Sequence, residues 1–167
     1  MAEDLPSAIF DKAEAEEQRK WEEILALDGT ENAYVLHKEL GEWMTDNVTV
    51  VRYNDRLQKT DEKLQELLER FNHINITDTQ LWSNQGAMFT RQLRNMLHLA
   101  RVITIGALNR NESRGAHYKP DFPERNDEEY LKTTMAKFNG FDAPIFHYEE
   151  VDTSLIPPRK RDYSAKA

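Results

Sequence analysis

Apolar residues recur at spacings of three and four through most of the first 110 positions, the mark of amphipathic helices. Phe10, Ala13, Trp21, Ile24 and Leu25 fall near one stripe and predict a helix over 11–27. Asp28-Gly29 should end it, with glycine taking the left-handed position after the last turn. Thr30 then reads as an N-cap with Glu31 in the first turn of a second helix. That helix carries Ala33, Leu36, Leu40 and Trp43 and breaks at Asp46-Asn47. The clearest pattern follows: Val50, Tyr53, Leu57, Leu64, Leu67, Phe71 and Ile74, with only Thr60 polar in the series. This heptad-like seam is too short for a fibrous coiled coil and predicts a bundle. After a turn region at 72–79, a fourth helix begins near Ser83, with Phe89, Leu93, Met96, Ala100, Ile103 and Ala107 in line. Leu97, Leu99, Val102, Ile105 and Leu108 widen its apolar surface beyond one face. Such a helix is buried on several sides, and two neighbouring helices would leave part of it for something outside this chain.

Past Arg110 the pattern changes. Residues 111–130 are polar, contain Pro120 and Pro123, and read as an ordered loop with one helical turn near Asp127. Asn139-Gly140 lies between two runs of β-formers, Thr133 to Phe138 and Ile145 to Val151, which predicts a hairpin closed by a type I′ turn. The stretch from Ile156 through Pro157-Pro158 to Tyr163 is extended and basic. The organisation expected is one domain: a helical bundle over 1–110, with an ordered loop, hairpin and basic tail packed on it over 111–167. The fold class is mainly α.

Composition narrows the function. The net charge of −8 disfavours nucleic acid and anionic membrane surfaces as partners. With no cysteine, the chain has no disulfide, thiolate zinc site or iron–sulfur ligand of its own. No apolar run approaches the roughly 18 residues of a membrane span, and MAEDLPSAIF lacks the basic and apolar regions of a signal peptide. The six glycines are too scattered for either G-x-G-x-x-G or a P-loop. Charge is uneven: residues 11–31 hold three basic and eight acidic groups, whereas 86–119 hold six basic and one acidic. Helix–helix complementarity accounts for this simply; an anion-binding or partner surface is the sharper reading.

Catalytic motifs are missing. His37, His73, His98, His117 and His147 form no metal-ligand pattern, His98 reads as a core or boundary histidine, and Ser113 sits in no nucleophile elbow. The dense run is Asn109 to Asp127, a cluster of donors and acceptors where a basic helix ends. As a helix C-terminus it would place Gly115 at the left-handed position and Arg110 and Arg114 at the negative dipole end.

Within that run, ESRGAHYKPDFPERND resembles the C-terminal signature of the flavoprotein subunit of succinate dehydrogenases and fumarate reductases. The likeness extends to Gly29-Thr30-Glu31-Asn32, to Glu42 through Val48, to Asn95-Met96-Leu97 and to Pro157-Pro158-Arg159-Lys160-Arg161-Asp162-Tyr163. It covers essentially the whole chain and is nearest the Gram-positive bacterial type. Lys119 stands where many members have arginine, keeping the charge and losing the planar fork. The resemblance implies a spectrin-repeat-like antiparallel bundle with a small β element. It implies an excised segment with Met1-Ala2 as its start. The FAD-binding domain, the covalent flavin histidine, the capping domain and the proton-shuttling and dicarboxylate residues of the family lie upstream. On that reading this segment has no catalytic, cofactor-binding or metal residue and inserts in no membrane. Its parent carries FAD and oxidises succinate to fumarate. The partners implied are the flavin-binding and capping domains, an iron–sulfur subunit and a membrane cytochrome b subunit, on the cytoplasmic face of the plasma membrane. Glu112, Ser113, Arg114, Gly115, His117, Lys119, Asp121 and Arg125 are the implied interdomain docking loop. L-aspartate oxidase carries a similar E-S-R-G loop, though the proline-rich ending favours the succinate/fumarate branch. A free-standing spectrin-like interaction module is the alternative without redox partners.

Overall fold

The computed structural model describes residues 7–140 and 142–159. Its elements run α1 (Ser7–Leu25), α2 (Ala33–Asn47), α3 (Asn54–Phe71), α4 (Gln85–Asn109), α5 (Asp127–Tyr130), β1 (Lys132–Lys137) and β2 (Ile145–Glu150). Helices α2, α3 and α4 form an up-down-up bundle. Tyr34 near the start of α2 stacks on Phe89 near the start of α4, with ring centroids 4.3 Å apart. At the other end, Val48 just past α2 packs with Leu57 from the start of α3 and Ala107 from the end of α4. The main core holds Leu36, Leu40, Leu64, Leu67, Leu68, Phe71, Ile74, Leu93 and Leu97, joined by Ile24 of α1.

The seam of α3 is buried as its spacing demands from Leu57 to Phe71, and Thr60 is buried with it. The Thr60 hydroxyl donates to the Arg56 carbonyl at 2.8 Å, which satisfies the one polar group on that line. Val50 departs from the pattern: it is exposed and lies before the helix. Its segment pairs instead with the later loop, Tyr118 N–H donating to the Val50 carbonyl and Arg52 N–H to the Tyr118 carbonyl. A long-range backbone pairing thus captures residues that local periodicity assigns to the helix.

Other helix ends also answer to distant partners. α1 stops at Leu25, two residues earlier than predicted, and α2 is capped by Asn32, not Thr30. Asn32 Oδ1 accepts from the Tyr34 N–H at 2.8 Å, while Glu31 turns away to Arg70 of α3. Arg70 is gripped by two carboxylates, Glu31 and Glu39, at 2.7–3.1 Å, which ties the α1–α2 connection and α2 to α3. Gly29 is a close-approach glycine, not a left-handed cap. A Cβ added there would lie 2.0 Å from the His73 carbonyl oxygen. The two connections run side by side at this point, with Gly29 N–H donating to Ile74 and Glu31 N–H to His73. Gly29→Ala should therefore force the backbones apart and lower stability by about 1–3 kcal/mol, read as a shift in denaturant midpoint; an unchanged midpoint would show that the connection yields freely.

The uneven charge becomes helix pairing. Glu17 of α1 pairs with Arg91 of α4, and Glu23 lies 3.7 Å from Arg94. Arg101 of α4 is buried and meets Asp61 of α3 at 2.8 Å. The face of α4 that stays open bears Leu99 at 61 % and Ile103 at 50 % exposure, so the line 93–97–100–104–107 turns inward and Ile103 does not.

β1 and β2 form an antiparallel hairpin, Lys137 opposite Ile145. Its loop spans 138–144, longer than the two-residue turn expected from Asn-Gly. Gly140 has positive φ and Asn139 does not, so the type I′ geometry is not adopted. Phe146 lies over α4 at Gly106, its ring 3.4 Å from the position a Cβ would take. The basic end of the tail, from Lys160 on, lies outside the described residues.

Candidate functional site

α4 ends at Asn109, and Arg110 leaves the helix in an extended conformation. Gly115 is therefore not its cap. Its positive φ serves a tight turn in which Arg114 and His117 exchange both backbone hydrogen bonds. Arg110, Arg114 and Asn126 then converge on one buried carboxylate, Glu112, which is 0 % exposed.

Glu112 Oε1 accepts from Arg110 at 2.6 Å and from Arg114 Nε at 2.9 Å; Oε2 accepts from Arg114 Nη2 at 2.9 Å and from the Asn126 N–H at 3.0 Å. Burial pushes its pKa up, but the bonds from Arg114, the Asn126 N–H and Arg110 outweigh that and hold it below the usual carboxylate value. Arg114 reaches on to Asp127 at 2.7 Å, and Asp127 also accepts from Arg125. Arg125 in turn donates to the Arg159 carbonyl at 2.7 Å and anchors the tail. Arg110 clamps the hairpin, donating to the carbonyls of Tyr130 and Lys132 and to Thr134 Oγ1. Ser113 Oγ donates to the Phe122 carbonyl at 2.8 Å and accepts from the Lys119 N–H.

A second cluster lies beside the first. Lys119 is 1 % exposed, and its ammonium donates to the Leu108 carbonyl at 3.0 Å and Asn111 Oδ1 at 3.1 Å. Asn54 of α3 shares that acceptor. Burial and the nearby Arg52 charge, opposed by Asp121, push the Lys119 amine down to about 8. The charge is thus most costly below pH 8 and is relieved as pH rises from there toward its ordinary value. His117 bridges the clusters: Nε2 donates to the Arg110 carbonyl at 3.0 Å, so Nδ1 is the acceptor for Arg52 at 2.7 Å. Burial, and then the charges of Arg52, Lys119 and Arg110, lower its pKa. A histidine held neutral in the fold contributes stability that is full above the unfolded value of about 6.5 and is lost as pH falls below it. Denaturant midpoints should fall on acidification from pH 7.5 to 5.5, and less steeply in His117→Gln. His98 acts with the same sign, its pKa lowered by burial and by Arg94 and Arg101, so some slope should survive; an unaltered slope would clear His117 of any part in it.

The predicted loop residues therefore divide. Glu112, Ser113, Arg114, His117, Lys119 and Arg125 spend their polar groups inside the chain, while Gly115 and Asp121 are exposed, with Ala116 and Tyr118 between. The spacing that singled out the loop missed Arg52 and Asn54, which come from the α2–α3 side. No local signal marks them. Among the described residues no group of three His, Asp or Glu is placed to hold a metal, and no helix is long and apolar enough to cross a membrane.

Comparison with known proteins agrees with this arrangement. Residues 37–163 match the family model described as fumarate reductase flavoprotein C-term. The chain is 70 % identical over 166 residues to the succinate dehydrogenase flavoprotein subunit of Bacillus subtilis, covering 99 % of this chain and 28 % of the relative. It is 35 % identical to the fumarate reductase flavoprotein subunit of Escherichia coli, covering 96 % of this chain and 27 % of the relative. A solved Escherichia coli quinol fumarate reductase FrdA chain superposes with a TM-score of 0.88 at 34 % identity, over 98 % of this chain and 28 % of that one. The chain thus spans a little over a quarter of the length of these relatives. With the helical fold and these matches in agreement, the chain belongs to the fumarate reductase flavoprotein C-terminal family, the C-terminal domain of succinate dehydrogenase and fumarate reductase flavoprotein subunits.

Proposed function

We propose that this domain serves a succinate dehydrogenase, in which the rest of the flavoprotein subunit oxidises succinate to fumarate on FAD and passes electrons through an iron–sulfur subunit to membrane quinone. The observation that carries the reading is the 70 % identity to the Bacillus subtilis subunit over 166 residues. The domain's own part is to buttress the flavin-binding and capping domains. Peripheral attachment to the cytoplasmic face of the plasma membrane, through an iron–sulfur subunit and a cytochrome b subunit, follows from the same reading.

The residues present do not fit the flavin itself. No glycine-rich turn leads into a helix, and the N-termini of α2 and α4 are filled by their own Asn32 and Asn84 side chains. No step of the reaction is therefore assigned to this chain. Its docking loop presents Gly115, Ala116, Tyr118 and Asp121 outward, while the charged residues behind them set the loop's shape.

The test is a purified preparation of this chain, scanned for flavin absorbance and assayed with succinate and an artificial acceptor, beside an intact subunit. The chain alone should be colourless and inactive, and a subunit with its docking surface disrupted should hold flavin less well. Turnover or bound flavin in the chain alone overturns the assignment of a supporting role.

A further inference from the structure

Arg52 is half-buried and, among the described residues, its side chain meets only neutral groups. Its Nε donates to the carbonyls of Val48 at 3.1 Å and Thr49 at 2.7 Å, and Nη1 donates to His117 Nδ1. The other arginines of the neighbourhood each meet a carboxylate: Arg101 meets Asp61, Arg110 meets Glu112, and Arg114 meets both Glu112 and Asp127. Lys119, which feels the charge of Arg52, and Arg110, which acts with it on His117, are both of its own sign. A guanidinium partly removed from water with no counter-charge is an unfinished ion pair.

The surroundings show where the missing group would enter. A crevice of about 250 Å³ opens between α4 and the hairpin, lined by Arg52, His117, Arg110, Ile103, Gly106 and Phe146. Ile103 on its lining is exposed, and so are the apolar side chains next in the chain to two other lining residues: Val50 and Val51 before Arg52, and Tyr118 after His117. The Val50–Arg52 segment is itself fastened to Tyr118 by two backbone bonds. A cation in a recess rimmed by apolar and aromatic side chains is the anatomy of a protein interface anchor, where the rim excludes water and strengthens the central pair.

We propose that this crevice receives an aspartate or glutamate side chain presented by the remainder of the flavoprotein subunit. The proposal rests on the supporting role argued above. The occupant follows from charge complementarity and from the fact that nearly three quarters of the Bacillus subtilis relative lies outside the span that this chain matches. The guanidinium offers its remaining face to the carboxylate, His117 stays neutral and fixes the tilt of Arg52, and Ile103 and Tyr118 bury against the incoming backbone.

Hydrogen exchange and melting, each on the isolated chain and on the intact subunit, test it. In the intact subunit, peptides covering 50–52 and 117–118 should gain protection relative to the isolated chain. Arg52→Gln, which keeps an amide donor for the Val48 and Thr49 carbonyls, should lose that protection and lower the subunit's melting temperature, with little effect on the isolated chain. Arg52→Lys should restore part of both. An equal loss in Gln and Lys variants, or an equal loss in the isolated chain, reduces Arg52 to an internal cap and overturns the proposal. Arg52-dependent stabilisation of the isolated chain by acetate or succinate, against chloride at matched ionic strength, makes the ligand a free anion and overturns it too. Exposure of 50–52 on deleting residues 160–167 does the same by naming the chain's own end as occupant. If the α4 surface at Leu99 gains protection in the subunit while 50–52 does not, only this proposal fails. If no surface of the domain gains protection, the supporting role fails with it.

Discussion

Glu112→Ala should destabilise the isolated chain by about 3–5 kcal/mol, since it leaves the largely buried Arg110 without its carboxylate and takes from Arg114 one of its two. The carboxylate is wholly out of water and holds four hydrogen bonds from three donor residues. Without it Arg110 and Arg114 repel, the Asn126 N–H loses its acceptor, and the hairpin clamp made by Arg110 loosens. Glu112→Gln keeps the shape but cannot satisfy two guanidinium groups, and should fall between the alanine variant and wild type. Urea denaturation followed by circular dichroism reads both; a loss below about 1 kcal/mol for the alanine variant would mean that the loop refolds around other acceptors. The same knot predicts an acid dependence. Glu112 has a folded pKa below its unfolded value, so its stabilisation is complete above the unfolded value and is lost as pH falls through the folded one. Wild type should weaken in that acid range more than Glu112→Gln does. Arg114→Ala should already cost stability in the chain alone, because its partners Glu112 and Asp127 are both within the domain.

The second large effect lies in the bundle. Leu64→Ala and Leu67→Ala each empty a site with no solvent exposure in the main core, where α3 faces α2 and α4. Each should cost about 2–5 kcal/mol, from lost transfer energy plus the cavity left behind. Leu99→Ala, at an exposed position of α4, is the control and should move the denaturant midpoint little. Equal shifts at all three positions would mean that helix propensity, not burial, sets the response.

Comparing these two regions shows how far local pattern reaches. The bundle was legible because burial of a helix face imposes its period on the residues themselves. Leu57, Leu64, Leu67 and Phe71 recur at the helical interval and are buried at that interval. The one polar member, Thr60, needed no partner from elsewhere, since its own helix supplied the Arg56 carbonyl. Even the acidic and basic halves of the sequence could be read as facing helices, and Glu17–Arg91 and Glu23–Arg94 meet in that way. The run from Glu112 to Asp127 stood out as an ordered, charge-rich loop, and the resemblance carried by it led to the right family.

What sequence left open shares one physical cause: the deciding partner lies far along the chain. Gly29 is required because the His73 carbonyl passes beside it, not because a helix ends there. Val50 leaves the seam because Tyr118 offers a strand-like partner. The Asn139-Gly140 turn lengthens to a seven-residue loop because the strands pair at Lys137 and Ile145. The charged residues of the loop turn inward because Glu112 is buried, and a carboxylate's burial is invisible until its cations close over it. Periodicity thus determined which segments are helical and most of the face that α3 buries, while the resemblance of the 112–127 run pointed to the family. Tertiary structure alone decided where helices end, which charges pair with one another and that Arg52 meets only neutral groups among the described residues, because backbone pairing and ion pairing are set by distances in space between residues that no local pattern relates.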